Sequence, residues 1–236
     1  MRYCEFCLKP IPTRSKYAEA AVRRCHKSKG HEGRCGEFPY LSHLKRVAPR
    51  VESKIKRDAT MTTGAAWPTS EAGPNRILRW VMLLDDSELL TKYEIDMSKM
   101  KPQVVAKLRE KKAPYENCMA VAIKLTWLVY QMENAPEPPM EIKEYLQAFQ
   151  GPMRPGSTFC IVCRLPLSFD LFTSARRGTS PIETCHHDPR LHTPENVGFA
   201  HRECNIAQGQ KSLDEFYAWI EGILRRVMNY SSTPGS

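Results

Sequence analysis

Cys160-Ile161-Val162-Cys163 and a second pair with the same gap, His201 and Cys204, constrain what this chain can fold into more than any other feature. A C-x-x-C turn presents two thiolates from one short piece of backbone, and zinc completes its tetrahedron with two more sulfur or nitrogen ligands. Cys160, Cys163, His201 and Cys204 therefore read as a structural zinc site of three cysteines and one histidine. Closing that site folds residues 160–204 into one loop, so the side chains inside the loop are held near the metal.

Nine cysteines are an odd number and include C-x-x-C pairs, which points to metal ligation rather than a full set of disulfides. The start of the chain lacks the apolar stretch of a secretory signal, and the longest apolar run, Cys118 to Tyr130, carries Lys124 and is too short for a bilayer. The expectation is a cytoplasmic protein that does not enter the membrane, with Cys118 and Cys185 as core thiols. Length and composition, 236 residues with 42% hydrophobic content, are enough to build real cores.

The charge is unevenly placed. Residues 1–60 hold 15 Lys/Arg against 6 Asp/Glu, whereas residues 61–236 hold 20 of each. Such a localised positive field suits a polyanion, because neutralised phosphates release their counterions. In the same segment Cys4, Cys7, Cys25 and Cys35 are candidates for a second zinc site, with His26, His31 and His43 competing for its fourth place. Residues 1–60 thus read as a small basic zinc module ending in a basic tail from Lys45 to Arg57.

Residues 61–157 read as a linker followed by a helical region for DNA recognition or dimerisation. A helix is expected through Ile77, Trp80, Val81, Leu83 and Leu84 after an Asn75 cap, another after Pro102, and an apolar one between Pro114 and Glu133. Pro136, Pro138 and Pro139 stop it, and a short helix over 141–149 precedes the Gly151–Gly156 break. Residues 158–236 differ in kind, with the zinc pairs, a histidine-rich loop and a final helix. Ser212 and Glu215 form its capping box, and Phe216, Trp219, Ile220, Ile223, Leu224 and Val227 mark its apolar face.

Inside the zinc loop lie His186-His187-Asp188-Pro189 and Asn196, and Asn205 follows the last cysteine. This order, C-x-x-C, the histidine pair, Pro194-Glu195-Asn196, then His201-Arg202-Glu203-Cys204-Asn205, resembles the HNH endonucleases of the ββα-metal superfamily. The ending Cys204-Asn205-Ile206-Ala207-Gln208-Gly209-Gln210 is similar to the phage recombination endonuclease VII branch. The likeness covers about residues 158–215.

The resemblance implies an α+β chain, mainly helical, with a C-terminal zinc-stapled ββα-metal nuclease domain and a small N-terminal zinc module. It implies His187 as the general base that activates water, and Asn196 as the residue that orients it. His186 and Asn205 would hold one catalytic Mg2+ or Mn2+, with Asp188 as the alternative to His186. Arg176 and Arg177 are candidates for gripping a DNA phosphate. The expected activity is metal-dependent cleavage of DNA, sequence-specific as in restriction or homing enzymes. Junction resolution is the alternative, and a non-catalytic DNA-binding scaffold is the rival outside enzymes. A homodimer is expected if both strands are cut.

Overall fold

Proline sets where four of the helices begin. The computed structural model describes residues 2–3, 10–11, 39–62, 77–173 and 180–231. After a minimal pair of strands, β1 (Arg2–Tyr3) and β2 (Pro10–Ile11), come α1 (Ser42–Val47) and α2 (Pro49–Thr60). They are followed by α3 (Asp86–Tyr93), α4 (Pro102–Glu110), α5 (Tyr115–Tyr130), α6 (Met140–Gln150) and α7 (Asp170–Thr173). Pro49 and Pro102 stand in the first turns of α2 and α4, and Pro114 and Pro139 immediately precede α5 and α6. At these positions the missing N–H costs nothing and the fixed φ suits the helix.

The chain then forms a hairpin, β3 (Ile182–His186) with β4 (Val197–His201), and closes with α8 (Arg202–Gln208) and α9 (Leu213–Ser231). The hairpin is antiparallel, with Ile182 opposite His201 and His186 opposite Val197. At the start of α9 the capping box forms as the sequence predicts. Ser212 N–H donates to Glu215 Oε2 at 2.7 Å, and Glu215 N–H to Ser212 Oγ at 3.2 Å. The described residues make a helix-dominated α+β fold with one small sheet near the C-terminus.

Apolar α5 is the centre. Its Val121, Ala122, Leu125 and Val129 are buried in one cluster with Leu44, Val51 and Ile55 from α1 and α2, Phe199 and Ala200 from β4, and Leu213 and Phe216 from α9. That cluster runs from Tyr40 to Phe216. A second cluster gathers Met61, Ile77, Leu78, Val81, Leu89, Val104 and Leu108 around α3 and α4.

Two expectations change. The helix anticipated through Ile77–Leu84 is a bridge of Leu78 to Met61, a turn, and a 3-10 turn at Val81–Leu83. A period of three to four also fits this mixture, because the bridge and the turn each bury a side. The tail from Lys45 to Arg57 is largely α2, packed on α5, and Lys54 is buried at 7% exposure. The Asn75 cap, Cys4, Cys7, Cys25, Cys35, His26, His31, Arg176 and Arg177 lie outside the described residues. His43 is described, and its Nδ1 lies 3.2 Å from the Tyr130 hydroxyl.

Candidate functional site

The first element of the site is the cysteine turn. Phe159 pairs with Pro166 across it, Cys160 N–H donates to Leu165 O at 2.8 Å, and Arg164 takes a left-handed φ of 63° to complete it. Ile161 N–H donates to Phe199 O at 3.0 Å, which docks the turn on β4. Gly198 permits the approach, since a Cβ there would lie 2.4 Å from Ile161 Cγ2. From the other side Tyr217 of α9 donates its hydroxyl to Val162 O at 2.5 Å.

The ligand atoms of Cys160, Cys163, His201 and Cys204 all lie within 4.8 Å of one another, and Cys163 Sγ and His201 Nδ1 are 3.3 Å apart. Burial pushes the Cys160 thiol up, yet the amides of Cys163, His201 and Val162 directed at its sulfur hold it below the ordinary value. Burial and the nearby Cys160 and Cys163 push the Cys204 thiol up to about 12. Three sulfurs packed this way become thiolates together only around a cation. The donor set is that of structural zinc.

The second element is the loop that leaves β3. His187 N–H donates to Asn196 O at 2.9 Å, extending the hairpin by one pair, and His187 O accepts from Leu213 N–H at 2.8 Å. Asn196, 9% exposed, spends its whole amide on this loop. Oδ1 accepts from Asp188 N–H at 2.8 Å, while Nδ2 donates to Asp188 O at 2.8 Å and Leu191 O at 2.7 Å. The His187 ring has no hydrogen-bond partner among the described residues. Burial, and then the Arg164 guanidinium, lower its pKa against the opposing pull of Asp214, so the ring is neutral at neutral pH. Asp188 uses one carboxylate oxygen locally: Oδ1 accepts from Arg190 N–H at 2.9 Å and lies 3.4 Å from Arg190 Nη1.

His186, the last residue of β3, faces α2. Its Nε2 is 3.1 Å from His192 Nδ1, and His192 Nε2 is 2.8 Å from Ala59 O. Burial, then Arg79 and Lys111, bring the His186 pKa down to about 3 despite Asp58. The same burial and cations take His192 to about 2. Gln208 in α8 donates to His186 O at 2.8 Å and accepts from the Cys185 thiol at 2.9 Å. Asn205 stands one turn earlier on α8, hence on the Gln208 side of the helix, with a partly buried amide that has no partner among the described residues.

α2 and β3 are also tied by charge. Lys54 Nζ lies 3.0 Å from Asp58 and 2.6 Å from Glu183, and Thr184 Oγ1 donates to Asp58 Oδ2 at 2.9 Å. Arg57 Nε donates to Asp58 Oδ1 at 2.8 Å. Lys54 is thus paired inside and Arg57 is paired while half-buried, whereas Lys45, Arg46 and Arg50 are exposed. His192 and Gln208 were missed by sequence reasoning. His192 carries a signal, a third histidine in the loop, whereas Gln208 carries none before α8 is placed.

A family model described as DraIII matches residues 37–204. Among solved structures, one described as the crystal structure of a type II restriction endonuclease is 50% identical. The match covers 84% of this chain and 90% of that one, with a TM-score of 0.72. No curated protein matches this chain.

Proposed function

We propose, from the premise that this chain belongs to the DraIII family of type II restriction endonucleases, that it cuts DNA at a specific sequence through an HNH-type site on the β3–β4 hairpin and α8. The observation that carries the HNH reading is the pairing of His187, neutral and without a hydrogen-bond partner among the described residues, with an Asn196 amide devoted to holding its loop.

In this reading His187 accepts a proton from the water whose oxygen attacks phosphorus, and a neutral imidazole is the form that can do so. The bond to the 3′ oxygen breaks, and that oxygen takes a proton from solvent, leaving 5′-phosphate and 3′-hydroxyl ends. Asn196 is a positioning residue that fixes the backbone on either side of the base. His186 Nδ1 and the Asn205 amide are the proposed donors for a divalent ion, with Asp188, whose Oδ1 is shared with Arg190, as the alternative to His186. Held there, Mg2+ or Mn2+ would supply positive charge to offset the negative charge that develops in the transition state. Zinc at Cys160, Cys163, His201 and Cys204 would hold the cysteine turn on β4 and α8, and so fix where Asn205 stands relative to β3.

Residues 1–60 supply DNA contacts through exposed Lys45, Arg46 and Arg50, and Cys4, Cys7, Cys25 and Cys35 are proposed to hold a second zinc. Arg176 and Arg177 are proposed phosphate contacts. One such site cuts one strand, so two copies of the chain act on a duplex. The test is a cleavage map on long natural duplex DNA with Mg2+ or Mn2+. Cuts at one recurring sequence support the reading. Cutting confined to four-way junctions, or none with either ion, contradicts it.

A further inference from the structure

The C-terminal end of a helix leaves its last carbonyls short of intrahelical partners, and in α2 they are met by the C-cap amide and by residues beyond the helix. Met61 N–H donates to Arg57 O at 2.8 Å, and Arg79 Nη2 to Asp58 O at 3.3 Å. His192 Nε2 lies 2.8 Å from Ala59 O, and Arg79 N–H donates to Thr60 O at 2.9 Å. His192, only 6% exposed, is therefore a cap on α2.

This cap has a consequence for its other nitrogen. A carbonyl oxygen only accepts, so the proton of His192 sits on Nε2, and in a neutral imidazole Nδ1 is then an acceptor. The atom facing it at 3.1 Å is His186 Nε2, which must donate. His186 is left with its lone pair on Nδ1, a nitrogen without a hydrogen-bond partner among the described residues.

We propose that His192 is a positioning residue of the nuclease site: by accepting from His186 Nε2 it fixes the tautomer in which Nδ1 is the atom His186 offers to the divalent ion, and it anchors that ligand to the end of α2. The inference rests on the assignment of His186 as a ligand made above. Histidines that bind metals commonly have the second nitrogen held in this manner, and loss of the partner typically costs about 10- to 100-fold in metal affinity. A cap alone would need only the Ala59 contact.

The test is histidine-labelled nitrogen NMR on the full, zinc-loaded chain before any Mg2+ or Mn2+ is added. Wild type should show His186 and His192 both protonated on Nε2, with a coupling across the hydrogen bond from His186 Nε2 to His192 Nδ1. In His192→Leu the His186 tautomers should mix, and Mn2+ affinity measured by electron paramagnetic resonance should fall by about 10- to 100-fold. His192→Gln, which can both accept and donate, should lose less. His186 protonated on Nδ1 in wild type, or no coupling to His192, overturns the proposal without any variant having to fold. A Leu variant with one Nε2–H tautomer and wild-type Mn2+ affinity overturns it too, leaving His192 a cap only. The relay with no Mn2+ at His186 in wild type instead contradicts the functional reading and leaves the relay standing.

Discussion

Asn196 holds Asp188 at both of its backbone polar groups, accepting from Asp188 N–H at 2.8 Å and donating to Asp188 O at 2.8 Å. The residue before Asp188 is His187, so the side chain of Asn196 fixes the backbone on the C-terminal side of the base proposed above.

Asn196→Asp keeps the acceptor but loses the donor, and sets a carboxylate oxygen against Asp188 O and Leu191 O. Stability should fall by about 1–3 kcal/mol for the buried carbonyls left unsatisfied, read as a lower urea midpoint. Cleavage should drop by more than this destabilisation accounts for at a temperature where the variant is fully folded. A destabilised variant with wild-type kcat would show that the loop does not orient the base.

Gly198→Ala places a methyl group 2.4 Å from Ile161 Cγ2. That carbon sits on a β-branched centre with little freedom, so the cysteine turn must lift from β4. The single variant should lose about 1–3 kcal/mol and release zinc to a chelator faster than wild type. Adding Ile161→Ala should recover part of the loss. Two effects that simply add would mean the clash is relieved elsewhere.

Much of this was legible in the sequence because it is local. The capping box at Ser212 and Glu215, the prolines before α5 and α6, and the gaps that bring Cys160, Cys163, His201 and Cys204 within 4.8 Å are relations between near neighbours or repeated spacings. The long-range pairings were not. Lys54 reads as a solvated basic residue until Glu183 meets it across the fold, and His192 reads as one more loop histidine until α2 ends beside it. No local propensity encodes which surfaces meet, so the pairing of α2 with β3 had no signal in either segment alone.

Buried neutral histidines make stability depend on pH. His186 and His192 have folded pKa values of about 3 and about 2, far below their ordinary value of 6.5. Between those limits the unfolded chain binds more protons, so their contribution is fully present above about pH 6.5 and is lost progressively as pH falls toward 3. The melting temperature should decline from pH 7 to pH 5, and less steeply in His192→Gln, which removes one of the two. Equal slopes would contradict the assignment, since acid release of zinc is common to both proteins.

Removal of zinc should unseat α8 and the cysteine turn together, because Cys204 lies in α8 and Cys160 and Cys163 in the turn. Purified protein should carry at least one zinc per chain. Chelation should lower the melting temperature and abolish cleavage even with Mg2+ in excess. Well-folded protein with less than one zinc would rule the site out.

The most direct test is His187→Ala assayed for both cleavage and DNA binding. The account predicts folded, zinc-loaded protein that binds the recognition duplex as wild type does, with single-turnover cleavage in Mg2+ or Mn2+ reduced by about 100- to 10,000-fold. Cleavage within a few-fold of wild type would contradict it.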